Sequence, residues 1–347
     1  MTRENILIVG GYGEVGGKIA KLLLQDYPNK VWIAGRDMQK AEQFCIQLNH
    51  LVSPMQLDVS KPVKPKQLAN IALVIMCLEQ KDTAFAELCL AQGILYIDIT
   101  ASYTFLKKLE LLHPVAVQHQ STAIMSVGMA PGLTNLMAMY VAQQKTSVEK
   151  LHISILLGAG DTHGNAAIHW ILDQLNKQYT IKNDSHSKIT NFTNKRSIHF
   201  SDIGQSSVYQ FNFSDQHTLS KHFPQGQIVT RMGFDVEWLN RFVSFLQKSR
   251  LSTILKINKM RHILTSLIQK VKIGSSVCAI KVEAIEKNTP PVSLSFVDYD
   301  ESLVTAKIAA TVATELLEKE HPAGTYHIEE LFKLDAFIKQ FDNSSFF

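Results

Sequence analysis

The stretch from Asn5 to Leu24, NILIVGGYGEVGGKIAKLLL, limits most tightly what this chain can fold into. An apolar run, Ile6 to Val9, is followed by five glycines within residues 10–17. A stretch that puts Val15, Ile19, Leu22 and Leu23 on one helical face comes next, with Lys18, Lys21 and Gln25 opposite. A short continuous apolar run suits a strand buried on both faces of a parallel sheet. Gly11-x-Gly13-x-x-Gly16 then lies between strand and helix. In that setting one glycine makes the tight turn, one lets the backbone approach a pyrophosphate, and one lets helix and strand pack closely. The helix N-terminus would meet the phosphates with unpaired N–H groups and its positive dipole end.

The strand–helix rhythm continues. Val31–Ala34, Met55–Val59, Ala72–Leu78, Ile94–Thr100 and Thr122–Gly128 read as strands, with helices over residues 39–49 and 83–92. Such alternation predicts a parallel, doubly wound sheet, because right-handed crossovers put helices on both faces. Gly128-Met-Ala-Pro-Gly132 breaks the rhythm, and a helix follows from Leu133 to Gln143. The segments 150–158, 198–213 (turning at Gly204 and Gln205), 281–287 and 292–300 then alternate in polarity without helices between most of them. They predict a mostly antiparallel sheet, covered by helices over 236–247 and 256–271. Leu303–Leu317 is the last long helix. A length of 347 residues suits two domains. The expected fold is α/β, with a second α+β domain.

A formal charge of +4 with scattered basic residues gives no case for nucleic acid, though it suits an anionic ligand. Cys45, Cys77, Cys89 and Cys278 form no Cys-x-x-Cys pair and read as reduced thiols. The start leads straight into a strand, and no apolar run reaches the length of a membrane helix. A soluble, cytoplasmic protein without a membrane partner is expected.

Cofactor choice is read at the end of the second strand, where NAD enzymes usually place Asp or Glu on the ribose hydroxyls. Here the sequence is IAGRD: Gly35 takes the acidic position and Arg36 follows. A missing carboxylate beside a guanidinium suits a 2′-phosphate, hence NADP, with NADPH preferred over NADH. In the alternative, Arg36 is solvated and Asp37 serves the ribose of NAD. Asp58 ends the third strand, beside the adenine position. Cys77 and Leu78 end the fourth, near ribose and nicotinamide.

Some patterns read as decoys. Tyr103-x-x-x-Lys107, and the glycines taken as Gly10-x-x-Gly13-x-x-Gly16, match short-chain dehydrogenases, but Tyr103 comes too early for that fold's catalytic helix. His163 and His169 lack the i, i+4 spacing of a helical metal pair, so no metal is expected. The basic amphipathic segment 256–272 reads as a core or interface helix.

With the glycine loop, AGRD, YIDIT and GMAPGLTNLMA in order, the chain resembles the saccharopine dehydrogenase family, in its NADP-binding, saccharopine-reductase-like and carboxynorspermidine dehydrogenase-like branch. The likeness covers residues 5–140 and continues more loosely in GAGDTHGNAAIHWILD and HPAGTYHIEELF. It implies a Rossmann NAD(P)-binding domain over residues 1–130 and an α+β substrate and dimerisation domain over 131–300. A C-terminal helical segment, 301–347, returns to the first domain, and the chain forms a homodimer. It further implies hydride transfer between NAD(P)(H) and a carbon–nitrogen bond of an amino-acid-derived amine or imine. By position, Gly11, Tyr12, Gly13, Glu14, Val15, Arg36, Asp58 and Cys77 match the cofactor contacts. Gly128, Pro131 and Gly132 match a turn beside the nicotinamide.

Imine reduction needs a proton at nitrogen, and histidine is suited to supply it. The strand ends bring Asp98, Thr100, Ser126 and Met129 to the ligand edge. GAGDTHGNAA places Asp161 and His163 where a strand enters a helix. Asp98, Asp161 and His163 are the catalytic candidates, although Asp161 can also act simply as a helix cap. An oxidoreductase acting on another activated bond, a ketone or alkene, and a non-catalytic NADPH sensor are the alternatives.

Overall fold

A computed structural model describes residues 3–160, 173–175, 177–181, 184–249, 274–342 and 345–347, with the backbone alone for 184–187. The chain divides into two compact units: Met1–Leu133 with Ser302–Lys333, and Thr134–Glu301 with Leu334–Phe347. The C-terminal stretch therefore contributes a long helix and a strand to the first unit and its last residues to the second.

The first unit is built on seven strands. Six are β1 (Asn5–Val9), β2 (Val31–Gly35), β3 (Ser53–Gln56), β4 (Ile71–Met76), β5 (Leu95–Asp98) and β6 (Thr122–Met125). The seventh is Gly324–His327, which the sequence reading did not find. The order is Gly324–His327, β6, β5, β4, β1, β2, β3, and every pair is parallel. Ile6 to Val9 are fully buried, as a strand covered on both faces requires. The connecting helices are α1 (Glu14–Leu23), α2 (Met38–Gln47), α3 (Ala84–Ala91), α4 (Tyr103–Glu110) and α5 (His113–Gln118). The third strand lies earlier than the expected Met55–Val59. Leu57 N still bonds Gly35 O where β2 ends, and the chain then turns away at Asp58.

The second unit carries β7 (Lys150–Leu157), β8 (Gln178–Ile181), β9 (Asp184–Thr190), β10 (Thr193–Phe200), β11 (Gly204–Gln210), β12 (Gln227–Phe234), β13 (Val277–Ile285) and β14 (Val292–Tyr299). Six of them form one sheet in the order β10, β11, β12, β7, β13, β14, and β8 pairs with β9 as a separate hairpin. The sheet is mostly antiparallel, as expected, with one parallel pair, β12 with β7. β12 was not read from the sequence. Alternation divides the two faces. Ile153, Ile155, Ile280 and Val282 are buried on one, while His152, Ser154, Arg231 and Glu283 lie on the other. Helices α6 (Thr134–Ala142) and α7 (Glu237–Lys248) belong to this unit. The helix expected over 256–271 lies outside the described residues. No helix among the described residues is long and apolar enough to cross a membrane.

Candidate functional site

In the parallel sheet the connections run to β2 on one side of β1 and to β4 on the other. Ligands of such sheets sit outside the carboxyl ends of the strands at this reversal. The glycine turn occupies that position. Gly10 has φ +82, and Gly13 N donates to Gly10 O at 2.9 Å. A Cβ at Gly16 would collide with the Gly10 carbonyl oxygen and lie 2.9 Å from Gly11 Cα, so this glycine is required by the approach of helix to strand. A Cβ at Gly11 would lie 2.8 Å from Ile8 O. Helix α1 starts after Gly13 with no side-chain cap, which leaves the first-turn N–H groups of Glu14 and Val15 available to an anion. Gly13 and Glu14 are exposed and Val15 is half-buried. The Glu14 carboxylate pairs with Lys18 Nζ at 2.8 Å, and Lys18 also donates to Ser302 Oγ at 2.6 Å. This cradle fits a pyrophosphate.

At the end of β2, a Cβ on Gly35 would sit 2.5 Å from Tyr12 Cζ. The Tyr12 ring therefore fills the space that an acidic side chain would need. Its hydroxyl accepts from Asp37 N at 3.3 Å. Arg36 is exposed beside it. Asp37 caps α2, its Oδ1 accepting from Lys40 N at 3.2 Å. Asp58, beyond β3, turns onto its own loop, accepting from Ser60 Oγ at 2.6 Å and Ser60 N at 3.1 Å. The Ser60 hydroxyl, chiefly, holds its carboxyl below the usual range.

Cys77 directly follows β4, beside Gly10. Burial pushes its thiol up, with the Asp98 charge adding to it. Asp98, at the end of β5, is fully buried. Its Oδ2 accepts from Tyr96 Oη at 3.0 Å and Gln80 Nε2 at 3.1 Å, and its Oδ1 from Thr100 N at 2.9 Å. Burial raises its carboxyl to about 7, against the lowering effect of those donors. Burial likewise raises the Tyr96 phenol.

Ser126, at the end of β6, lies at the ligand edge as expected, and it has partners that the sequence reading missed. Ser126 is fully buried and holds φ +57, a left-handed conformation that is uncommon outside glycine. Its hydroxyl lies 2.8 Å from His327 Nδ1, and His327 Nε2 lies 3.0 Å from Glu110 Oε1. His327 is buried at the end of the seventh strand, while the Glu110 side chain reaches the surface at 25% exposure. The available signal was GTYH running straight into IEEL, a strand-end histidine beside a helix start. The turn that follows Ser126 is tightly held. Met129 N donates to Thr305 Oγ1 at 3.1 Å, and Leu133 N to Gly128 O at 2.8 Å. A Cβ on Gly128 would lie 3.3 Å from Pro131 O.

His327, Ser126, Asp98, Cys77, the glycine turn, Gly35–Arg36 and Asp58 thus follow one another along the carboxyl edge of the sheet, in strand order. Asp161 and His163 lie outside the described residues. Lys107 Nζ sits 5.7 Å from the Tyr103 ring centroid, a cation–π contact within α4. Among the described residues no group of three or more His, Cys, Asp or Glu could hold a metal ion.

Fold and edge together define a doubly wound, dinucleotide-binding protein. Residues 6–124 match the family described as Saccharopine dehydrogenase NADP binding domain. That match agrees with the resemblance seen in the sequence, and it supports a nicotinamide cofactor and an oxidoreductase. The whole chain is similar in fold to apo saccharopine dehydrogenase (L-Glu forming) from Saccharomyces cerevisiae, at 13% identity and TM-score 0.67, covering 98% of this chain and 97% of that one. It is also similar to an engineered D-amino acid dehydrogenase, at 10% identity and TM-score 0.50, covering 94% of each chain. No curated protein gives a significant sequence match.

Proposed function

We propose that this protein is an NADP-dependent oxidoreductase, preferring NADPH over NADH, that passes a hydride to or from a carbon–nitrogen bond of an amino-acid-derived imine or secondary amine. The observation that carries the cofactor choice is the Tyr12 ring lying against Gly35. It leaves no room for the ribose-binding carboxylate of NAD enzymes, and Arg36 stands exposed next to it. Asp37, the other carboxylate at hand, is engaged as a helix cap. The amine class draws support from the two fold relatives, both named as dehydrogenases of amino acids or their derivatives.

When bound, the nicotinamide supplies or takes the hydride. The chain's own residues do the rest. Gly11, Gly13 and the first-turn N–H groups of Glu14 and Val15 hold the pyrophosphate, and the Arg36 guanidinium reads the 2′-phosphate. Cys77 and Gly128 border the nicotinamide. Asp98, buried and fully hydrogen-bonded, acts as a positioning residue that fixes the end of β5. Reduction of C=N also needs a proton at nitrogen. Ser126 Oγ is closed to bulk water, so its proton is replaced through His327 from the solvent-reaching Glu110.

The test is NADPH consumption with a panel of α-keto acids paired with amines, run against the ketones alone and against activated alkenes. Turnover that requires the amine supports the reading. Turnover with ketones or alkenes alone moves the protein to another reductase class. NADPH binding with no turnover across all panels points to a sensor.

A further inference from the structure

The second unit contains a half-buried guanidinium, that of Arg231, with two nitrogens closed off from water. Arg231, on β12, has Nε and Nη1 buried with no hydrogen-bond acceptor. Buried guanidinium groups are otherwise paired, because an unsatisfied charge inside a protein is costly. Register places it in one row of the polar face: Arg231 stands opposite Ser154 of β7, and Ser154 opposite Lys281 of β13. His152 and Glu283 face each other in the next row. A further polar group is idle here: Ser154 Oγ is fully buried and has no hydrogen-bond partner. Tyr179 lies within electrostatic reach of Arg231.

The other charges nearby are already engaged. Arg196 Nη1 pairs with Glu283 Oε2 at 2.8 Å and donates to His152 Nδ1 at 2.5 Å. Burial, followed by the adjacent arginines, lowers His152 to about 4, so it is neutral and adds no charge. Lys281 Nζ donates to His199 O at the exposed rim. Asp215, near Tyr179, accepts from Thr230 Oγ1 at 2.6 Å and Gln216 N at 2.7 Å. The Glu283 charge also favours the charged guanidinium of Arg231, yet its buried Nε and Nη1 have no acceptor, and neither does the neighbouring Ser154 hydroxyl have a partner.

From the acceptor-less Nε and Nη1 of Arg231 and the idle Ser154 hydroxyl opposite them we infer a carboxylate-binding site on this face of the second unit. It rests on the reading of an amino-acid-derived substrate, whose carboxylate it would take. A planar monoanion with two oxygens matches the guanidinium fork. The neutral His152 and the nearby Glu283 weigh against a dianion such as phosphate.

The test titrates acetate, glutarate, L-glutamate and inorganic phosphate into the full chain, followed by calorimetry and thermal shift, with NADPH as a separate arm. R231M and S154A are the variants. The wild type is expected to bind one or more carboxylates and R231M to bind them roughly tenfold or more weakly, with S154A intermediate. R231M is also expected to melt higher than wild type without ligand, because it removes two buried guanidinium nitrogens that have no acceptor. Both variants should keep the full NADPH shift. No carboxylate response in wild type, an unchanged response in R231M, or phosphate binding as tight as carboxylate would each overturn the site. If R231M does not fold, retention of full affinity by S154A overturns it. Loss of the wild-type NADPH shift would instead strike the cofactor reading and leave the carboxylate arm to be judged separately.

Discussion

Ser126 Oγ lies 2.8 Å from His327 Nδ1, although the two residues are 201 positions apart in the chain. The contact continues to Glu110, so a surface carboxylate, a buried imidazole and a buried hydroxyl form one line. With Glu110 ionised, His327 donates through Nε2 and accepts the Ser126 proton at Nδ1, which fixes the tautomer. When Glu110 takes up a proton and the imidazole adopts its Nδ1–H tautomer, Glu110 donates to Nε2 and Nδ1–H donates to Ser126 Oγ, which frees the Ser126 proton for the substrate. S126A and H327N should therefore lower kcat by about 100-fold, with E110Q intermediate and NADPH affinity unchanged. Each should also cost roughly 1–3 kcal/mol of stability, because a buried polar partner is left unsatisfied. Steady-state kinetics in H2O and D2O check this. A fall in kcat that only follows the folded fraction, with an unaltered solvent isotope effect, would reduce the line to a structural one.

Arg36 should decide the cofactor. R36M removes the forked contact to a 2′-phosphate while leaving the glycine cradle intact. NADPH binding should weaken by roughly 10- to 100-fold, and NADH binding should stay as it was. Thermal shifts at matched concentrations read the difference, since a cofactor stabilises by an amount set by its concentration relative to its dissociation constant. Equal losses for both cofactors would mean that Arg36 contacts something common to the two.

How much of this was legible in the sequence depended on distance along the chain. The turn from Val9 to Val15 could be read because strand, glycines and helix are neighbours and their periods differ. Gly35 was noticed as a missing carboxylate, but not that the Tyr12 ring fills its place, which is a packing fact. The Gly324–His327 strand gave only a faint signal, GTYH ahead of a helix start, being short and paired only with β6. Its histidine became a partner of Ser126 through that pairing alone. β12 was missed for a related reason: it pairs in parallel with β7, and Arg231 within it looks like an ordinary surface arginine until burial is known. Asp98 could be singled out as a strand-end acid at the ligand edge, but not that Tyr96, Gln80 and Thr100 enclose it.

The glycine cradle makes a stability prediction with a functional signature. In G16A the new methyl would strike the Gly10 carbonyl oxygen and crowd Gly11 Cα, both of them backbone. Neither can rotate away as a side chain would, so helix α1 must move off the turn. Overpacking of this kind costs about 1–3 kcal/mol, and the first-turn N–H groups leave their positions with it. Denaturant unfolding should show the loss, and NADPH should no longer raise the melting temperature. A destabilised G16A protein with a full NADPH shift would separate the cradle from the helix start.

Asp98 gives the pH dependence. Burial raises its carboxyl to about 7 in the folded chain, whereas an unfolded aspartate ionises near 4. Between those values the native state binds the extra proton, so this group's stabilising contribution is complete below about pH 4 and is lost as pH rises toward 7. Its neighbours do not compete in that window, because burial keeps the Cys77 thiol and the Tyr96 phenol neutral. D98N is close in shape and carries no titrating group. The stability of wild type relative to D98N should therefore fall by about 1.4 kcal/mol per pH unit across the window and level off above it. Urea midpoints for both proteins from pH 5 to pH 8 measure that slope. Parallel curves would mean that the Asp98 carboxyl ionises normally in the fold and that Tyr96, Gln80 and Thr100 satisfy its charge.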